Sequence, residues 1–433
     1  MTEPTMHLRP LREKFMHRKE RFVLLLMLIG PLLLLYSFCS TAYSDKAGRY
    51  TRLPLGLPRS PSRQLATRKL SSMENGDVIV YSAIVIPSRT QRSNMDVIVT
   101  TLRTSEQALT CCFVTYKLKL LSIQAQAHFS YYSQTDVHIG GYLNKGGYFA
   151  LQYKCTVPLT DDYVMYLTMT PQKCPESLDE GIEISYVPEA KNRVALCTTL
   201  TDKYEPTPSE MVSWLEIQIQ LGVDKIFIYD LLGSKNLSKV FDFYQRRGVL
   251  ELQRFTLPKH EASEGGANRP LEDMQAESVP VLDCRQRAAG FTYVLCLGLD
   301  KALAPMSSVT LNGFFQELLK ENPDSAGFYI DVDWSLTNPI EGETSRLRWI
   351  ADKPYWEATM FMFLPDRVHT PNLSSMQPQL NYSTYKLLPE KAKLRHCPSA
   401  DWDTCFPEPK IKNRYRTLNH QIRTVLSTLG INR

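Results

Sequence analysis

Two aspartates stand at the ends of strand-like runs: Asp230 closes Lys225-Ile-Phe-Ile-Tyr-Asp230, and Asp300 follows Phe291-Thr-Tyr-Val-Leu-Cys-Leu297. In an open α/β sheet, ligands gather beyond the carboxyl ends of the strands, so both carboxylates belong to the expected ligand edge. A strand-end aspartate also serves as a helix cap or turn residue, and spacing leaves both roles open. A third acidic position is Asp331-Val-Asp333, at the end of the run that starts at Gly327. Alternation in an extended chain puts these two side chains on one face. The structural role is the stronger reading there; the chemical one is a general base that takes a proton from a hydroxyl. Trp334, Trp349, Trp356 and Tyr355 are of a type that stacks on sugar faces, with core packing the stronger expectation. His260 and His369 fall in expected loops and receive no role.

The elements that must position these residues alternate. Thr207-Pro208-Ser209-Glu210 is a capping box with proline at the first helical position, predicting a helix through Trp214, Leu215 and Ile219 to Gly222. The strand 225–230 follows, then a helix over about 237–247 closed by Gly248, and the strand 249–253. After a surface loop around Glu264-Gly-Gly-Ala-Asn268 come a helix over about 281–289, the strand 291–297, a helix over about 311–320 and the strand 327–333. Strands alternating with helices predict an α/β fold with a mostly parallel sheet over residues 193–433. Residues 77–192 have a different texture. Short β-branched and aromatic runs recur at 78–86, 97–102, 112–120 and 148–155, which predicts an all-β module, a sandwich.

The N-terminus sets the expected compartment. No charge occurs from Phe22 to Ser44, and six Arg and Lys residues lie between Arg9 and Arg21. A run of this length crosses a bilayer, and the basic flank keeps the N-terminus cytosolic. The expected order is a cytosolic tail 1–21, a signal-anchor transmembrane helix 22–44 and a Pro/Ser/Arg-rich stem 45–76; a cleaved signal peptide is the alternative. Either way the bulk of the chain enters the lumen, where Asn236, Asn372 and Asn381 stand in Asn-x-Ser glycosylation triplets. Ten cysteines occur, nine of them beyond the apolar run, so at least one stays free or pairs between chains. The charge of +5 is modest, and the basic runs lack the interleaved aromatics of a nucleic-acid module, so no nucleic-acid partner is expected.

Leu196-Cys197, Trp214-Leu-Glu216, Gly222-Val-Asp-Lys-Ile-Phe-Ile-Tyr-Asp230, Tyr244 with Gly248-Val249, Asp283-Cys284 and Leu299-Asp300 occur in a distinctive order and spacing. On these residues the chain, from Cys197 to about Cys405, resembles glycosyltransferase family 92. The resemblance implies a Golgi type II membrane protein with a GT-A fold. It further implies an activity similar to that of galactosyltransferases acting on fucose-containing N-glycan cores, with UDP-galactose as donor and a glycan or glycoprotein hydroxyl as acceptor. Asp230 then matches the acidic residue that ends a nucleotide-side strand, and Gly298-Leu299-Asp300 falls where the family carries an Asp-x-Asp metal motif. Two carboxylates at i and i+2 hold a hard divalent cation such as Mn2+ against the donor diphosphate.

Here position 298 is glycine, and Lys301 replaces a further acidic residue. Three readings stay open. Lys301 supplies the positive charge itself in a metal-independent transferase. Alternatively, Asp300 holds a metal with water and a distant histidine, His396, in Leu394-Arg-His-Cys397 where the family has a His-Tyr-Arg element. In the third, the domain is catalytically inactive and serves as a glycan-binding or scaffold protein.

Overall fold

A computed structural model describes residues 78–88, 93–103, 108–130, 149–160, 162–175, 181–187, 189–201, 205–254, 279–331, 359–371, 376–388, 390–396 and 416–431. The chain divides into two compact units, Met1–Ala66 and Thr67–Arg433, and every described residue belongs to the second. The expected tail, span and stem lie outside the described residues, as do the 264–268 loop, Trp334, Trp349, Tyr355, Trp356 and His260.

Among the described residues, the first part is built from strands alone. β1 (Val78–Pro87), β2 (Asn94–Arg103), β5 (Gln126–Ser130), β6 (Phe149–Pro158) and β9 (Ser185–Tyr186) form one sheet in the order β5-β6-β2-β1-β9. β3 (Thr110–Thr115), β4 (Leu120–Gln124), β7 (Val164–Thr170) and β8 (Ile182–Glu183) form a second, ordered β4-β3-β7-β8. Val80, Val97, Val99 and Tyr153 of the first sheet share one core with Phe113, Leu167 and Met169 of the second. A Cys111–Cys155 disulfide links β3 to β6 across that core, and Cys112 pairs with Cys174.

The second part is the α/β sheet. β10 (Ala190–Leu200), β11 (Lys225–Asp230), β12 (Leu250–Arg254), β13 (Phe291–Cys296), β15 (Ser325–Asp331), β16 (Thr359–Phe363) and β19 (Ser383–Leu387) stand in the order β12-β11-β10-β13-β16-β15-β19. Four of these neighbouring pairs are parallel; β16 alone runs antiparallel, against both β13 and β15. β14 (Lys301–Pro305) and β20 (Ala392–His396) form a separate antiparallel pair, and β17 (Val368–Pro371) pairs with β18 (Met376–Pro378). His369 therefore lies in a strand rather than in the expected loop.

Alternation along the central strands assigns each side chain to one of two cores. Val194, Leu196, Ile226, Ile228, Tyr293 and Leu295 enter the core under helices α1 (Pro208–Gln220), α2 (Ser238–Arg246), α4 (Leu311–Glu321) and α5 (Leu418–Leu429). Ala195, Cys197, Phe227, Tyr229 and Val294 enter the opposite core, with α3 (279–287) and with Leu102 and Ala150 of the β-sheet module. Burial on both faces explains why β11 reads as an unbroken apolar run. The expected capping box closes α1: the Thr207 side chain accepts from the Glu210 amide, and Glu210 accepts from the Thr207 amide. Beyond α1, Gly222 takes φ +90, a conformation that side chains with a Cβ rarely adopt.

The two parts meet through polar contacts. Gln152 Nε2 of β6 donates to the Leu282 carbonyl at 3.2 Å, Gln286 Nε2 donates to Gln152 Oε1 at 3.3 Å, and Ser82 Oγ donates to Asp283. The His128 ring of β5 stands edge-on to His369, centroids 6.1 Å apart. Burial, with Arg285, His369 and Lys154 nearby and only Asp96 opposing them, lowers the His128 pKa to about 4. The unfolded chain takes this proton near pH 6.5 and the folded chain only near 4, so stability is complete above 6.5 and drains as pH falls through that window. The urea midpoint should therefore fall from pH 6.5 to 4.5, and His128→Gln should flatten that slope; a slope that the substitution leaves unchanged would assign the effect to another group.

Candidate functional site

Register places the acidic positions on one edge. Leu200 of β10 pairs with Asp230, and Cys197 with Cys296, so Asp230 and the 297–300 turn both lie at the carboxyl end of β10, one on each side. Strand spacing sets the ends of β11 and β13 about 10 Å apart. Because β16 is antiparallel to both of its neighbours, β15 runs in the direction of β13; Cys296 and Tyr329 both pair with Phe361. Asp331 ends β15 two residues beyond that row, level with Gly298. The topology thus brings Asp230, Asp300 and Asp331 to a single sheet edge, as expected for a ligand site in an open α/β sheet. Asp333 lies outside the described residues.

Asp230 is fully buried. Its Oδ1 accepts from the backbone amides of Leu232 at 3.1 Å, Gly233 at 2.8 Å and Ser234 at 3.4 Å, which fixes the turn leaving β11. Its Oδ2 is buried with no hydrogen bond; the nearest cation is Arg254, Nε at 3.9 Å, across the β11–β12 register. Of the two roles that the sequence left open, the turn cap is present on one oxygen, while the other makes no hydrogen bond. A buried carboxylate oxygen without a hydrogen bond costs about 1–3 kcal/mol or more; Arg254 offsets part of this, and a hydroxyl donor from a bound molecule would offset more.

On the other side of β10, Asp300 and Lys301 form an ion pair, Nζ to Oδ1 at 2.9 Å, with the Lys301 side chain 10% exposed and that of Asp300 19%. Helix α1 holds the main chain here: Trp214 Nε1 and Gln218 Nε2 both donate to the Lys301 carbonyl, at 3.0 and 3.2 Å. Pairing of β14 with β20 sets the backbone of His396 directly opposite Lys301. Gly298 leaves room for this pair: a Cβ there would stand 2.6 Å from Asp300 Oδ1 and 3.1 Å from Lys301 Nζ, and both side-chain ends would have to shift. The residues as they stand do not fit a divalent cation of the Mn2+ kind: Asp300 is engaged by an ammonium, position 298 offers no second carboxylate, and the described residues include no group of three metal-ligating side chains.

Behind the edge lies a charged cluster that the sequence did not reveal. Asp283 of α3, 1% exposed, accepts from Tyr229 Oη at 2.8 Å, from Arg287 Nε at 2.6 Å and from Ser82 Oγ. Arg287 also reaches Glu251 of β12 at 3.3 Å. Burial, helped by the adjacent Asp283 carboxylate, keeps the Tyr229 phenol protonated far above its ordinary range. Glu216 of α1, also buried, accepts from Tyr244 Oη at 2.7 Å and from Arg247 at 3.1 Å, tying α1 to α2. Cys197 bonds Cys284, joining β10 to α3, and Cys296 is free, its thiol pushed up to about 12 by burial. Of the expected glycosylation sites, Asn236 and Asn381 are exposed, and Asn372 lies outside the described residues.

Comparison with known proteins bears on the α/β part. The sequence model of Glycosyltransferase family 92 matches residues 192–428, more than half of the chain. No curated protein matches it. Among solved structures, S. aureus TarS 1–349 in complex with UDP aligns at 12% identity over 35% of this chain and 38% of that one, with a TM-score of 0.23. TarS 1–349 aligns at 11% identity over 54% and 65% of the two chains, TM-score 0.26, and a mycobacterial protein at 12% over 56% and 76%, TM-score 0.22. This chain covers less than two thirds of either TarS structure, and superpositions of this quality carry no inference about fold or activity. The family match and its extent place the chain in glycosyltransferase family 92, with a glycosyltransferase domain in its α/β part.

Proposed function

We propose that this chain is a type II membrane protein of the Golgi whose α/β domain has a GT-A fold and transfers a hexose, galactose from UDP-galactose, to a hydroxyl of a glycan. The observation that carries the reading is Asp230: a fully buried carboxylate, at the ligand edge of a family 92 domain, with one oxygen capping a turn and the other unmatched. Ribose hydroxyls of a nucleotide are donors of the kind this oxygen lacks. The three disulfides among the described residues support an oxidising compartment, and the exposed Asn236 and Asn381 support luminal glycosylation.

In the transfer, the acceptor oxygen forms a bond to the anomeric carbon while the bond from that carbon to the diphosphate oxygen breaks, its electron pair leaving with UDP. The acceptor proton passes to a carboxylate, the role assigned to Asp331, at the end of β15, or to Asp333. The test is transfer of labelled galactose from UDP-galactose to a fucose-bearing N-glycan core by the full-length chain. Labelled product is expected. Turnover with another UDP-sugar instead would replace galactose in this reading, and no turnover with any donor would reject it.

A further inference from the structure

We propose that Lys301 is a built-in cation: its ammonium, held by Asp300, meets the donor diphosphate in place of a bound divalent metal. The inference rests on the donor-site reading above and adds what neutralises the leaving group.

When the bond to the anomeric carbon breaks, the departing diphosphate gains a negative charge, and a site that excludes water must hold positive charge there in advance. Lys301 meets that requirement by position and by its unused hydrogen-bonding capacity. An ammonium has three donors, and nine-tenths of this side chain is buried, yet among the described residues it donates to one acceptor, Asp300 Oδ1. Phosphate oxygens are the acceptors such a group lacks.

The turn can carry one solution or the other. A side chain at position 298 would begin 2.6 Å from the Asp300 carboxylate and 3.1 Å from the ammonium, so a first carboxylate at 298 would displace the present ion pair. The charge balance is the same in both. A divalent cation on two carboxylates sums to zero, and so does Lys301 on Asp300. Rigidity is also supplied, since Trp214 and Gln218 clamp the Lys301 carbonyl and β20 pairs along β14. The cation is thus fixed before the donor arrives.

Calorimetric titration of UDP into the purified full-length chain, in EDTA and in Mn2+, tests this. UDP should bind equally in both. Lys301→Ala should weaken binding about ten- to a hundredfold, the range for a hydrogen bond to a charged group, and Mn2+ should not restore it. The unliganded melting temperature checks that this variant folds. Should it not, the paired change Gly298→Asp with Lys301→Glu decides instead, because restoring two carboxylates should make UDP binding appear in Mn2+ and vanish in EDTA. Wild-type binding seen only in Mn2+, or a paired variant that binds as well in EDTA as the parent, would overturn the role of Lys301 and leave the donor site standing. No UDP binding in either condition would overturn the donor reading itself.

Discussion

Replacing Asp230 by Asn is expected to lower kcat/KM for the sugar nucleotide about ten- to a hundredfold while leaving the fold intact. The asymmetry of this carboxylate makes the separation possible. An Asn carbonyl in the place of Oδ1 still accepts from the amides of Leu232 and Gly233, so the turn after β11 keeps its cap. The amide nitrogen in the place of Oδ2 turns an acceptor into a donor facing the ligand, and a hydrogen bond to a charged group is worth about 1.5–3 kcal/mol. Chemical denaturation should show a stability within about 1 kcal/mol of the parent. Asp230→Ala, by contrast, should lose stability as well, since it strips the cap from the same amides at about 1–3 kcal/mol for each buried group left unmatched. An Asn variant with parental kcat/KM would confine Asp230 to the turn.

Asp283→Ala should cost on the order of 3–5 kcal/mol of stability, the loss typical when one partner of a buried ion pair is removed. Arg287 would keep only the half-exposed Glu251 as counter-ion, and Tyr229 Oη and Ser82 Oγ would lose their acceptor. Against the 5–15 kcal/mol that holds a typical domain together, this is a large share, and it should appear as a lower denaturation midpoint. The matching variant, Arg287→Met, removes the charge that Asp283 neutralises. The double variant should therefore lose clearly less than the sum of the two single losses. Simple additivity would mean that the pair is not the unit that ties α3 to the sheet.

Much of this fold is legible from local pattern. β11 reads residue for residue because burial on both faces leaves an uninterrupted apolar run, and α1 starts where its capping box says. The antiparallel β16 is different. Its five residues carry no flanking helix signal, and its place between β13 and β15 is a matter of tertiary pairing. The same holds for β17, whose pairing with β18 puts His369 in a strand.

At the site, Asp230, Asp300 and Asp331 could be found because a strand end is visible in sequence, and register then gathers them on one edge. The division of labour between the two oxygens of Asp230 needs side-chain geometry. So does the crowding between a side chain at 298 and the Asp300–Lys301 pair. The Asp283 cluster joins residues 54 and 201 positions apart, and no spacing rule reaches that far. Disulfide connectivity was equally out of reach, since many pairings suit the same cysteines.

The central claim is that a sugar nucleotide sits at the carboxyl edge of the β10–β11–β13 strands, against Asp230. UDP-induced thermal stabilisation of the full-length chain, measured side by side for the parent and Asp230→Asn at matched unliganded stability, tests it most directly. The account predicts a rise in melting temperature for the parent and little or none for the variant, as binding to the native state alone requires. An equal rise in both proteins would place the nucleotide elsewhere, and no rise in the parent would contradict a donor site on this edge.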